Sequence, residues 1–166
     1  MHEPQNADKR FELINGRIID VVSNDKSSEF AALILGLLLV FVRKHKLGRI
    51  TGADGGYIVN DQRLIPDVAF ISYEKKPNTE SVAYYPVAPD LAVEVLSPSD
   101  QPADVRIKLN HYQQAGTTVW IVDPEAKRVE IYRPQQTVIV LGEADTLKAS
   151  GLLTGFTLPI KDIFDL

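Results

Sequence analysis

Three charged residues stand where an apolar pattern leaves little room for them. Glu94 interrupts the run Leu91-Ala92-Val93-Glu94-Val95-Leu96. Asp67 opens a second apolar run, Asp67-Val68-Ala69-Phe70-Ile71-Ser72. Lys108 falls on a stripe with Val105, Leu109 and Tyr112 at helical spacing. A lone ionised group in an apolar setting costs several kcal/mol. Glu94 therefore needs a partner: a metal ion, a cation, or a proton that keeps it neutral. Side chains alternate along a strand, so Ala92, Glu94 and Leu96 share one face while Val93 and Val95 share the other. Carboxylates on adjacent strands, ~5 Å apart, raise each other's proton affinity unless a cation lies between them. Magnesium takes carboxylate oxygens and waters and would satisfy both Asp67 and Glu94. Lys108 either snorkels outward or reaches a buried acid. With Glu94 in the preceding strand, pairing with that acid is the expectation.

The rest of the composition narrows the chemistry. The chain has 166 residues, 45% hydrophobic and 24% charged, and is expected to form a single domain over 1–166. There is no cysteine, which excludes disulfides and thiolate metal sites. His2, His45 and His111 fit no zinc spacing, so a metal here would be a hard cation held by oxygen. The net charge of −4 argues mildly against a tight grip on nucleic acid by a lone monomer, and leaves room for a local basic patch. Residues 1–10 are polar and have no apolar leader, so a cytoplasmic protein is expected. The stretch Phe30–Val42 is 13 residues, short of the ~18–20 of a membrane span. It reads as a helix buried on most faces, and no membrane association is expected.

The elements that must position these residues follow in order. Residues 1–9 read as a loose terminus. Two β-prone runs flank Asn15-Gly16, a strong hairpin signal. Ser27 or Ser28 can cap a helix running to about Lys46, with Gly48 just past its end. Glu29 lies in its first turn, either as a complement to the helix dipole or as a further acid at the site. Strands follow near Arg49–Ile50 and Tyr57–Val59, then Asn60-Asp61-Gln62 as a turn, then the Asp67 strand. Tyr73–Pro89 reads as a long loop, with Tyr84 and Tyr85 packing it or stacking on bases. The Glu94 strand leads through Ser97-Pro98-Ser99-Asp100 into a helix over 103–115. A strand at 118–122, with Trp120 in the core, two further strands and a closing C-terminal segment complete the chain.

This order is helix, three strands, helix, strand. The sequence resembles the restriction-endonuclease-like family within the PD-(D/E)xK nuclease superfamily. The likeness rests on Phe11-Glu12-Leu13-Ile14-Asn15-Gly16, Pro66-Asp67-Val68-Ala69-Phe70 and the run from Pro89 to Asp100. It extends to Lys108 with Tyr112 and Gly116, and to Val119-Trp120-Ile121-Val122-Asp123-Pro124. The resemblance implies an α/β fold with an αβββαβ core, a mixed central sheet flanked by helices, an N-terminal β-hairpin and extra C-terminal strands. It implies Asp67 and Glu94 as metal-binding acids, the Val95 carbonyl as a further ligand, and Lys108 in the place of the motif lysine. That lysine normally stands two residues after the second acid, where this chain has Leu96. Glu12 or Glu29 would supply an additional acid. The activity implied is Mg2+- or Mn2+-dependent endonuclease cleavage of DNA. A homodimer is expected separately, because a small acidic domain needs a second subunit to span a duplex and two-fold symmetry is the commonest assembly. The alternative is a nuclease fold kept as a non-catalytic module for DNA binding or protein assembly.

Overall fold

The computed structural model describes residues 10–22, 24–79 and 81–165. The loose terminus expected at 1–9 lies outside the described residues. Strands β1 (Phe11–Ile14) and β2 (Arg17–Asp20) form the expected hairpin. Asn15 and Gly16 both have positive φ, 49° and 77°, the turn geometry that matches the right-handed twist of paired strands.

Helix α1 spans Asp25–His45. Its cap is Asn24, one turn earlier than the expected Ser27 or Ser28: the Asn24 side chain accepts a hydrogen bond from the Ser27 amide at 2.9 Å. Ser27 is the third helical residue and supplies the orphan donor that the cap satisfies. At the other end Lys46 takes the left-handed conformation (φ 54°), so Gly48 is freed to begin β3 (Gly48–Gly52). Phe30, Ile34, Leu38 and Val42, each four residues apart, are buried. Leu37 and Val40 are 40% and 69% exposed. Burial on most faces is thus corrected to burial on one, because a single sheet surface can cover only one side of a helix.

The remaining strands are β4 (Gly56–Val59), β5 (Gln62–Leu64), β6 (Val68–Ser72), β7 (Tyr84–Tyr85) and β8 (Leu91–Val95). Then come α2 (Pro102–Gln114), β9 (Thr118–Asp123), β10 (Arg128–Tyr132) and β11 (Ile139–Leu141). The C-terminal part pairs β12 (Thr146–Lys148) with β13 (Thr157–Pro159) around a 3-10 turn, and ends in α3 (Ile160–Phe164).

The central sheet has the order β11-β10-β9-β8-β6-β3. Within it only β8 and β9 run parallel, joined by α2, since parallel neighbours need a crossover. In sequence, α1, β3, β6, β8, α2 and β9 follow the expected αβββαβ order. A second sheet, β2-β1-β5-β4-β7, was not foreseen. Gln62, expected in a turn, starts β5, and the long loop contributes β7. A hairpin alone is marginal in water, and β1 gains a partner through Leu13 and Arg63. The Tyr84 hydroxyl donates to the Phe11 carbonyl and that of Tyr85 to the Lys75 carbonyl, fastening the loop down. No helix among the described residues is long and apolar enough to cross a membrane.

Strand alternation divides the core in two. Val68, Phe70, Val93, Val95, Trp120 and Val122 face α1 and α3. Ala69, Ile71, Ala92, Val119 and Ile121 face α2 and the second sheet, around the fully buried Tyr112. Truncating α1's buried row tests this packing: Leu38→Ala should lower the unfolding free energy by about 2–5 kcal/mol, read from urea denaturation.

Candidate active site

The site forms where β6, β8, α2 and the second sheet meet. Asp67 immediately precedes β6, and β6 pairs antiparallel with β8 through Val68 and Val93. Continuing that register by one residue sets Asp67 opposite Glu94, with both side chains on the α2 face. The Val95 amide donates to Asp67 Oδ2 at 2.7 Å. Lys108 comes down from α2 and its Nζ lies 2.9 Å from Glu94 Oε2. The same ammonium lies 2.9 Å from Glu12 Oε1, and the Glu12 and Lys108 side chains are only 7% and 14% exposed. Glu12 Oε1 also accepts from the Ile65 amide at 2.8 Å, two residues before Asp67. The Tyr112 hydroxyl donates to Glu94 Oε1 at 3.1 Å.

Asp67, Glu94 and Lys108 are therefore brought together as expected, and Val95 touches Asp67 through its amide. Of the two candidates for an additional acid, Glu12 belongs to the cluster. Glu29 is exposed on α1 and does not line the cleft. Leu96, at the usual lysine position, is half-buried against the α2-side core. Sequence reasoning placed Tyr112 on the inward stripe without a role; its spacing of four from Lys108 was the available signal. Asp100 and Asp104 were likewise passed over. Asp100 accepts from the Ser97 amide at 2.6 Å, and Asp104 pairs with Arg17 on β2.

The cluster opens into a cavity of about 180 Å³ lined by six carboxylates, Glu12, Asp20, Asp67, Glu94, Asp100 and Asp104. Lys108 is the single cationic side chain among its lining residues. The electrostatics follow. Burial pushes the Glu94 carboxyl up, Lys108 pulls it back, and Asp67 and Glu12 add to the rise, leaving it at about 8. Asp67 is also raised, by burial first, against the opposing Val95 amide and Lys108, with Asp100 and Glu12 adding. Burial alone would lower Lys108, but Glu94 and Glu12 outweigh it and hold its proton more firmly than usual. Tyr112 is raised well above its ordinary value, by burial and then by Glu94. Its hydroxyl thus remains a donor.

Among the described residues no three of His, Asp and Glu converge as a ready metal cage. The donors that remain are two oxygen acids, Asp67 and Glu94, both disfavoured in their charged forms chiefly by burial, with Asp67 adding to the rise in Glu94. That set fits magnesium, which keeps several waters and takes one or two carboxylates beside a substrate phosphate.

Two predictions concern these charges. Lys108→Met leaves Glu12 and Glu94 facing each other without a cation. It should cost about 3–5 kcal/mol of stability above about pH 8, where Glu94 is ionised, and less at lower pH, where Glu94 holds its proton. For Glu94, a folded-state value raised from 4.5 to about 8 means its contribution is complete below 4.5 and is lost as pH rises through about 8. Wild type should therefore lose more stability across that window than Glu94→Gln. Urea midpoints measured across the window would show it; parallel curves for the two proteins would contradict it.

Known proteins bear on this geometry. No curated protein matches the sequence. A crystal structure from Anabaena variabilis ATCC 29413, described as "a putative nuclease belonging to DUF820", superposes with a TM-score of 0.84 at 27% identity, covering 93% of this chain and 89% of that one. The fold is thus the restriction-endonuclease-like one, a mixed sheet flanked by helices. Residues 1–161 match the Uma2 family, described as "Putative restriction endonuclease", and the chain belongs to that family.

Proposed function

We propose that this chain is a divalent-metal-dependent endonuclease that hydrolyses DNA phosphodiester bonds as a homodimer. Family membership and the structural neighbour support a nuclease-like function at the coarse level. The observation that carries the finer reading is the charge imbalance: Glu12, Asp67 and Glu94 surround one ammonium, Lys108, at the wall of an open cleft. Asp67 and Glu94, with the Val95 carbonyl, would hold Mg2+ or Mn2+. A cation there supplies charge stabilisation for a phosphoryl oxygen and for the leaving oxygen.

The chain's own residues do the rest. Lys108 keeps its proton, so it serves as a fixed positive charge and not as a base. An ammonium at that point orients a water beside the scissile phosphate and favours its hydroxide form. Glu12 positions Lys108 and, through the Ile65 amide, the backbone leading into Asp67. Tyr112 holds Glu94 by its second oxygen. Lysine delivered from α2 thus takes the place that Leu96 leaves empty on the strand.

A second reading has its own observation. Lys108 already bridges Glu12 and Glu94, which makes a closed ion network that needs no metal. Under that reading the domain binds DNA or protein without cutting. Calorimetric titration with magnesium and manganese, alone and with a short DNA duplex, separates the two. The nuclease reading expects binding that vanishes in Asp67→Ala and Glu94→Ala. It also expects cleavage that falls by about 10²–10³-fold in Lys108→Ala, the scale of losing one electrostatic stabiliser. Absence of binding under both conditions, with no cleavage of DNA or RNA across a broad panel, would establish the non-catalytic reading instead.

A further inference from the structure

The central sheet carries a second cavity, on the face opposite the acidic cluster and at the other end of β8. Four strands contribute one row to its floor. Phe70 pairs with Leu91, and Leu91 with Thr118. Tyr132 pairs with Val119, and continuing that register by one residue sets Arg133 opposite Thr118. Phe70 and Leu91 belong to the α1-side core, so Thr118 and Arg133, in the same row, lie on that face too. Trp120, two residues along β9, extends the floor. Residues 149–153 form the roof, and the cavity measures about 230 Å³.

Arg133 is the single cationic side chain in the lining, and Asp90 the single carboxylate. Asp90 is already committed. Its Oδ1 pairs with Lys75 at 3.0 Å, and its Oδ2 accepts from the Ser72 amide at 2.7 Å. Arg133 has no such arrangement. Its Nε is buried and meets no acceptor, the one side-chain nitrogen or oxygen among the described residues of which this is true. Buried polar groups are nearly always hydrogen-bonded, so an orphan of this kind calls for a specific explanation. Its surroundings supply one. A guanidinium beside an apolar floor of Phe70, Leu91 and Trp120 is a recognition set for an anion with an apolar body.

We propose that this cavity binds a small carboxylate that carries an apolar body. The carboxylate accepts from the Arg133 fork, beside the Thr118 hydroxyl, and the body lies against Trp120 and Phe70. The size suits such a ligand, since an apolar cavity of roughly 150 Å³ takes up benzene. Charge favours a carboxylate over phosphate: a phosphate dianion brings two charges to one guanidinium, with Asp90 in the same wall. The cavity and the Glu94 cluster lie on opposite faces of the sheet, so this inference and the nuclease reading stand or fall separately.

Trp120 is the only tryptophan in the chain, so its emission reports this cavity. Wild type titrated with hexanoate and with benzoate, by calorimetry and by Trp120 emission, should show saturable binding. Hexanol keeps the body and drops the charge; inorganic phosphate keeps charge and drops the body. Each should bind at least about tenfold more weakly than hexanoate. Arg133→Met keeps an apolar stem and should weaken hexanoate binding by a similar factor. Without added anion it should melt no lower than wild type, because no partner of the Nε within the chain loses a bond. The proposal is overturned by the lack of a saturable response to either carboxylate, or by hexanol or phosphate binding as tightly as hexanoate. Unchanged binding in Arg133→Met, or a variant that melts well below wild type, would overturn it equally.

Discussion

The structure depends on how the charge of Glu94 is tolerated inside a sheet. A carboxylate in the centre of β8, flanked by Val93 and Val95, has lost most of its water. The fold answers with Lys108 from α2, and a lysine drawn inward creates a second demand, met by Glu12 from β1. Each added partner comes from a different element. The triad consequently ties together the central sheet, its crossover helix and the N-terminal sheet. Breaking one member leaves an uncompensated buried charge, which costs more than the intact pair contributes.

This ion cluster sits on one side of a sheet whose other side is conventionally apolar. Successive residues of β8 serve opposite faces, so Val93 and Val95 can anchor the α1-side core while Ala92 and Glu94 face α2. Ala92 is small enough to leave space beside Tyr112, whose hydroxyl reaches one oxygen of Glu94 while Lys108, on the same helix row, reaches the other. Division of labour between faces explains how a strand can be structural and chemical at once. Changes on the α1 side would act through packing, and changes on the α2 side through electrostatics.

Delivery of the ammonium from a helix, rather than from the strand, has a physical consequence of its own. On the strand, two residues after Glu94, an ammonium would be held by the sheet backbone at a short tether. From α2 the longer reach is steadied by two carboxylates, which raise its proton affinity. Glu12 shares the Lys108 ammonium with Glu94 at the same 2.9 Å distance. That makes the N-terminal hairpin part of the ion cluster, although its strands belong to the other sheet.

Much of this was legible in the chain as written. The hairpin at Asn15-Gly16, the αβββαβ order, the buried Trp120 and the grouping of Asp67, Glu94 and Lys108 all follow from local periodicity, turn chemistry and the cost of burying charge. These signals act over a few residues, or over one strand and the helix after it, so they survive in a one-dimensional reading. The second sheet, the choice of Glu12 over Glu29, the role of Tyr112 and the exposed side of α1 were decided only by tertiary structure. Glu12 reaches the Ile65 amide across 53 residues of sequence, through a β1–β5 pairing that no local pattern encodes. An apolar helix likewise shows which of its faces is covered only once the sheet beneath it is in place, because that sheet has one surface to offer.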